Sequence, residues 1–444
     1  MAKLADIARE AGIIGAGGAG FPTHVKLSSK VDSVIINGAE CEPLMQGDQY
    51  LMESRAESLA STLAAVADDL SSIAGKQVKA VFGVKEKYKK QVALLKDLSK
   101  KSGAFTVLEL PNVYPAGDEQ FLVYEATGRI VPEGGIPLHV GAVVMNVGTL
   151  ANLADAMDGN SVTHRIVTLG GEIANPQVAS IPIGMPLSVI IPMMGPKSED
   201  YAILLNGPMM GRITNDLNEV ITKTTGGVFL LPKNHSHVYR MSRPLSTEIR
   251  LGKSACEACR YCTDFCPRYL QGHAIEPHKI MRVMNYDRDL DTDTITAAWL
   301  CCECGVCDLW ACPMFLSPRV FFREFKKRLS AAGIKNPHSN ADLSIDYYRQ
   351  YRGVPADRLL RRLGLSEYEV KSAFNTVSLN VDEVRIPLNQ HIGALAAPIV
   401  AVGDKVKSGQ LVAEIPEGKL GARYHASISG SVAEVNASFI RIKK

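Results

Sequence analysis

The sequence predicts a multidomain protein, α/β in its first third, helical around a cysteine-dense middle and all-β at its C-terminus. Three observations carry this. Helix and strand patterns alternate from Ser33 to Met157. Nine of the 10 cysteines lie between Cys256 and Cys312. Short strand patterns separated by glycine turns return after Val384. A length of 444 residues suits about two to four domains.

Taken in order, Ser33–Asn37 is a short apolar strand. Leu51, Leu59, Leu63, Val66, Leu70 and Ile73 fall at roughly helical spacing, predicting one amphipathic helix over Leu51–Ala74. Gln77–Val84 and Phe105–Leu110 read as strands, with a lysine-rich helix between them. Such alternation argues for a largely parallel sheet. A helix at Leu150–Met157 closes this unit. A β-rich stretch follows from Arg165 to about Leu231, punctuated by turns such as Gly207-Pro208 and Gly226-Gly227. Residues 232–253 read as a polar connector. Arg328–Thr376 alternates basic and apolar residues and is expected to be helical. The tail carries strands at Ile399–Val402, Gln410–Ile415, Ala426–Ser427, Ser431–Val435 and Phe439–Ile442.

Composition excludes several classes. Lys+Arg 49 against Asp+Glu 46 leaves +3, too balanced for a nucleic-acid or anionic-lipid surface. No run of about 18 apolar residues predicts a spanning helix. Asp6 and Glu10 sit where a signal peptide needs an apolar core. A cytoplasmic chain is expected, and clustered cysteines in that setting read as metal ligands rather than disulfides.

Cys256-x₂-Cys259-x₂-Cys262-x₃-Cys266-Pro267 matches the bacterial ferredoxin run, in which three thiolates serve one cubane and the fourth serves the other. Cys301-x₂-Cys304-x₂-Cys307-x₄-Cys312-Pro313 supplies the partner, with one extra residue before its last cysteine. The expected ligand sets are Cys256, Cys259, Cys262 with Cys312, and Cys301, Cys304, Cys307 with Cys266. Zinc also uses C-x₂-C pairs, but rarely three at successive x₂ spacing followed by Cys-Pro. Two [4Fe–4S] clusters are therefore expected. Cys302 is spaced too closely to Cys304 for a cubane corner and is read as a packing residue.

Gly15, Gly17, Gly18 and Gly20 lie within six residues, so backbone amides there can approach a phosphate closely, and Lys26 adds a charge. No strand precedes the loop, which separates it from the dinucleotide fingerprint.

Gly15–Lys26 resembles the flavin-mononucleotide loop of the 51-kDa subunit of respiratory complex I, and more closely that of Rnf C subunits. Asn37-Gly-Ala-Glu40-Cys41-Glu42-Pro43 is similar to that family's Asn-Ala-Asp-Glu-Ser-Glu-Pro segment, with Ala39 in place of an Asp. Tyr114-Pro-Ala-Gly117-Asp118-Glu119 resembles its Tyr-x-x-Gly-Glu-Glu loop, and Asn146-Val-Gly-Thr149 its Asn-Asn-Val-Glu-Thr. The resemblance implies FMN held by these residues and NADH as donor, with Glu40, Glu42 and Glu119 lining the nicotinamide site. Residues 165–211 resemble a β-grasp soluble-ligand-binding module. The segments from His391 and from His425 resemble a lipoyl-like barrel-sandwich hybrid in which Lys419 is expected to stay unmodified. With that module last rather than first, the order looks like the PduS-type cobalamin reductases of bacterial microcompartments.

The implied fold is a Rossmann-like flavin domain (1–160), a β-grasp domain (161–235), a two-cluster ferredoxin-type domain (250–330), a helical linker (331–378) and a barrel-sandwich domain (379–444). The implied function is electron transfer from NADH through FMN and two [4Fe–4S] clusters to an acceptor, a corrinoid or corrinoid-handling protein. A microcompartment lumen is the implied location, and a shell protein or adenosyltransferase a further partner. An Rnf-like subunit docking to a membrane complex, and a non-catalytic iron–sulfur scaffold, are the rival readings.

Overall fold

The computed structural model describes residues 3–286, 292–370, 376–379 and 381–444. Its N-terminal layer is a four-stranded parallel sheet, ordered Thr106–Leu110, Lys79–Lys85, Ser33–Gly38, Ala142–Asn146. The central strand is apolar without alternation because both its faces are covered. Val34 and Ile36 pack into one core with Leu59, Leu63 and Leu150, while Ile35 packs into another with Leu122, Val123 and Val144.

The predicted helix over Leu51–Ala74 is two helices, Gly47–Ser54 and Ala56–Ala74, interrupted at Arg55. Arg55 leaves helical geometry and makes two hydrogen bonds to Asp155, at 2.9 and 2.6 Å. That pair spans 100 residues of chain, so local periodicity carries no sign of it.

Next comes a six-stranded mixed sheet, ordered Thr376–Ser378, Gln177–Pro182, His164–Gly171, Gly227–Pro232, Tyr201–Leu205, Arg212–Thr214. Its two central strands, His164–Gly171 and Gly227–Pro232, run parallel. Helix Leu187–Met194 packs against it through Leu187, Ile190, Ile191 and Met194. This helix interrupts the stretch expected to be β-rich throughout; an apolar octapeptide containing Pro192 shows no helical period.

The tail forms two small sheets, Glu383–Pro387/Phe439–Lys443/Gly430–Val435/Lys405–Val406 and Ala397–Pro398/Leu411–Glu414/Tyr424–His425. Ile399–Val402 is not a strand: Asp404 accepts the Ala401 N–H at 2.8 Å and turns the chain there. Tail residues Ile386, Val432, Ile440 and Ile442 share one core with Ile181 of the mixed sheet and with Met185 and Leu187, which follow that strand. Lys223 ties this body to the N-terminal domain. Its ammonium is buried, donates to Gly12 O at 2.6 Å and Arg423 O at 2.7 Å, and lies 4.4 Å from the Tyr424 ring centre.

Two linker expectations need correction. Residues 232–253 are not a polar connector but carry helices Ser236–Ser242 and Leu245–Ala255, parted by Pro244. The stretch 331–378 is not a helical linker. Its described part holds one helix, Ala356–Arg362, single turns and two short strands, Val354–Pro355 and Thr376–Ser378, and residues 371–375 lie outside the described residues. Residues 333–348 instead form an extended strap tied across the chain by Glu133 N donating to Asn340 O and Asp346 N to Leu270 O.

Candidate flavin and iron–sulfur site

The parallel sheet reverses its winding between Ser33–Gly38 and Ala142–Asn146, and ligands of such sheets bind where the order reverses, beyond the strands' C-terminal ends. Asn37 and Asn146 stand at those two ends. The glycine loop lies in front of them, with Gly17 packed against Asn146. The loop is closed by Gly15 N donating to Phe21 O at 2.8 Å, and anchored by Ala16 N on the Thr149 hydroxyl at 2.9 Å. Arg165 holds it from behind, donating to Ala16 O at 2.7 Å. Among the described residues the amides of Gly17, Gly18 and Ala19 have no acceptor. A Cβ at Gly18, where φ is +116°, would meet nothing within 4 Å. Three free consecutive amides facing open space form an anion-binding nest, so the loop fits a flavin phosphate.

The other expected residues gather around this loop but do different work. Lys26 donates one hydrogen bond to Val144 O at 2.9 Å, and burial lowers its pKa against the opposing pull of Glu119. Asn37 uses its amide on Gly117 O at 2.8 Å, joining two of the expected segments. Glu40 is half-buried and accepts the Glu42 N–H at 2.9 Å; desolvation pushes its carboxyl up. Glu42 binds both Met209 N and Met210 N at 2.8 Å. Its carboxylate holds the turn of the mixed sheet rather than standing free. Burial pushes it to about 8, against the pull of those amides. Tyr114 is buried and its hydroxyl donates to Cys304 O at 2.6 Å. Asp118 caps helix Glu119–Thr127 and pairs with Arg268 through two bonds, at 2.6 and 2.9 Å. Burial raises its carboxyl, but the Arg268 guanidinium outweighs that and holds it below the usual range.

Sequence reasoning missed Asp48, Arg165 and Arg268. Asp48 is buried and accepts the Asn146 side-chain amide at 2.8 Å; burial, then the Glu40 carboxylate, push its carboxyl up. Its one local signal is an acid in a helix's first turn, which reads as a dipole partner.

The cysteines gather around two pockets. Cys256, Cys259, Cys262 and Cys312 line one pocket; Cys266, Cys301, Cys304 and Cys307 line another. Cys302 lines the second pocket as well. Each run adopts left-handed backbone at the second and fourth residues after its first cysteine: φ is +51° at Ala258 and +70° at Arg260, +59° at Glu303 and +79° at Gly305. Left-handed backbone at three non-glycine residues is costly and marks functional geometry. It turns amides toward sulfur, as Glu303 N does toward Cys301 Sγ at 3.4 Å. The extra residue before Cys312 is taken up by a π-helix, Val306–Ala311, where the first run has the α-turn Tyr261–Asp264. Both pockets thus fit a thiolate-held cluster.

The two sets are unequally placed. The Cys266/Cys301/Cys304/Cys307 set adjoins the flavin loops through Tyr114 and Arg268, and Cys266, Cys304 and Cys307 are buried. The other set lies farther out, and Cys259 is exposed.

Residues 8–155 match the Nuo51 FMN-binding domain, 255–317 the 4Fe-4S dicluster domain and 369–443 the RnfC barrel-sandwich hybrid domain. A cobalamin reductase PduS from Citrobacter freundii is 39% identical over 98% of this chain and 95% of its own. One from Salmonella typhimurium is 38% identical over 99% and 96%. The C subunit of the Na(+)-translocating ferredoxin:NAD(+) oxidoreductase complex of Acetobacterium woodii is 36% identical over 59% of this chain and 57% of its own. An NAD+-reducing [NiFe]-hydrogenase in the H2-reduced state shares the fold over 77% of this chain and 63% of its own, with TM-score 0.50 at 18% identity.

Proposed function

The chain belongs to the PduS cobalamin reductase family, and from that premise we propose that it carries electrons from NADH to a corrinoid. FMN, when bound, supplies the change from a two-electron hydride to single electrons, and iron–sulfur clusters carry those singly. One NADH then serves two corrinoids, each reduced by one electron at cobalt, with one proton released.

We read 1–160 as the flavin domain, 161–235 as a β-grasp module, 250–330 as a domain for two [4Fe–4S] clusters and 379–444 as the barrel-sandwich module. The observation that carries the reading is the hydrogen bond from Tyr114 to Cys304 O, which ties a flavin loop to an iron–sulfur loop. Gly15–Gly20 would hold the FMN phosphate. Asn37, Gly117, Asn146 and Thr149 shape the wall behind it. Glu119 and Glu40 face the nicotinamide ribose, whereas Glu42 and Asp118 position the loops that carry them. None of these carboxylates passes a proton or hydride. A microcompartment lumen, with a shell protein or adenosyltransferase as neighbour, follows from the family reading. Among the described residues no helix is long and apolar enough to cross a membrane.

The test is anaerobic stopped-flow reduction of the bound flavin by NADH and by NADPH. Acids at the ribose repel a 2′-phosphate, so NADH should be the faster donor. Glu119→Gln should raise KM for NADH more than it lowers kcat. Equal rates with NADPH would remove the acidic-site assignment.

A further inference from the structure

Resting on that reading, we infer that Phe315, flanked by Arg240 and Arg362, is the binding platform for the corrinoid, beside the outer sulfur set of Cys256, Cys259, Cys262 and Cys312. The inner set is bonded to the flavin loops. The outer pocket is lined only by segments 255–262, 278–281 and 312–318, and its Cys259 is exposed. An acceptor that meets the chain from solvent therefore meets this set.

Phe315 is unusual in its own right. It is a non-glycine residue at φ +54° and it is 42% exposed. Exposed, strained backbone persists only where its surroundings enforce it. Here Arg243 donates to Phe315 O at 2.6 Å, while the Arg240 and Arg362 guanidinium carbons lie 4.2 and 4.9 Å from the ring centre. Arg362 also donates to Cys312 O at 2.9 Å, which links the platform to the sulfur set. Among the described residues Glu248 pairs with Arg243 at 2.6 Å, but Arg240 and Arg362 form no ion pair. Met314, 45% exposed, lines the sulfur pocket with Cys259 and adds apolar surface there.

A corrinoid matches this chemistry. Its flat macrocycle stacks on an aromatic face, its rim is soft enough for thioether contact, and its nucleotide loop carries a phosphodiester anion suited to a guanidinium without a carboxylate partner. Delivery to cobalt is one electron, Co(II) to Co(I), drawn from the pair NADH supplies, so no further reductant is needed.

The experiment is equilibrium binding of cob(II)alamin, and of cobinamide, which lacks the phosphodiester, to the full-length, anaerobically reconstituted protein. Phe315→Gly keeps the positive φ and removes the ring; it should weaken both ligands tenfold or more with iron content unchanged. Arg240→Gln should weaken cob(II)alamin about tenfold and cobinamide little. Wild-type affinity in both variants, or no binding of free corrinoid by the wild type, overturns the platform. The two readings fail separately. Wild type that binds cob(II)alamin in a Phe315-dependent way yet never reduces it with NADH would sink the reductase reading and keep the platform. Wild type that reduces it no faster than Phe315→Gly would do the reverse.

Discussion

Arg268, two residues past Cys266, grips both carboxylate oxygens of Asp118, a residue of the flavin loop 150 positions earlier. The pair is nearly sealed from solvent, at 8% and 13% side-chain exposure. Together with the Tyr114–Cys304 bond it makes the flavin and iron–sulfur loops one structural unit.

Breaking a buried pair from one side leaves an uncompensated charge. Asp118→Asn keeps a good helix cap, so its cost isolates the lost pair, about 3–5 kcal/mol. Urea denaturation of the full chain measures it. Because Arg268 holds the Asp118 carboxyl below its ordinary 3.8, the pair's contribution is present above that pH and is lost as pH falls through the lower folded value.

The crossed pockets predict a crossed loss of iron. Cys312→Ala should remove the cluster served by Cys256, Cys259 and Cys262, and Cys266→Ala the one served by Cys301, Cys304 and Cys307. Iron should fall from about eight to about four per chain in each. Loss of the cluster of the mutated cysteine's own run would refute the crossing.

Gly18 faces open space at φ +116°. Gly18→Val both strains that backbone and fills the approach to the free amides. Flavin should be lost by at least a factor of ten in affinity while iron is retained. Flavin binding at wild-type strength would mean that the loop is only a turn.

Among the described residues Lys223 has no carboxylate partner, and burial lowers its pKa from 10.5 to about 7. Between those values the unfolded chain binds more protons than the folded one, so this lysine's contribution to stability rises with pH from about 7 to about 10.5. Comparing wild type with Lys223→Met by urea denaturation across that window should show the rise in the wild type alone. Parallel curves would place the pH dependence elsewhere.

The cysteines that line the two pockets were legible because their spacing is local: Cys256 to Cys266 and Cys301 to Cys312 each fit one short run. The exchange of Cys266 and Cys312 between the two pockets could be expected for the same reason, from Cys-Pro at the end of each run. The residues expected around the flavin gather near the glycine loop, but their individual contacts were not legible. Glu42 looks like a free acid in sequence, and only the fold brings Met209 and Met210 to it across 167 and 168 residues. Arg268, Asp48 and Lys223 escaped because each acts on a partner far along the chain. The helices at Ser236–Ser242 and Leu245–Ala255 escaped because each is short and its packed apolar residues are spread among charged ones, Val238 and Met241 in the first and Leu245, Ile249 and Leu251 in the second. Residues 333–348 were misread because an extended strap that leaves most of its side chains exposed needs no apolar period.

The most direct measurement mixes the anaerobic, flavin- and iron-loaded protein with NADH and cob(II)alamin and follows flavin bleaching and Co(I) formation together. The account predicts flavin reduction first, then two Co(I) formed per NADH consumed, with Co(I) formation lost in Cys259→Ser while flavin reduction by NADH persists. Co(I) forming at the wild-type rate in Cys259→Ser, or flavin left oxidised by NADH and reduced only by a low-potential ferredoxin, would contradict it.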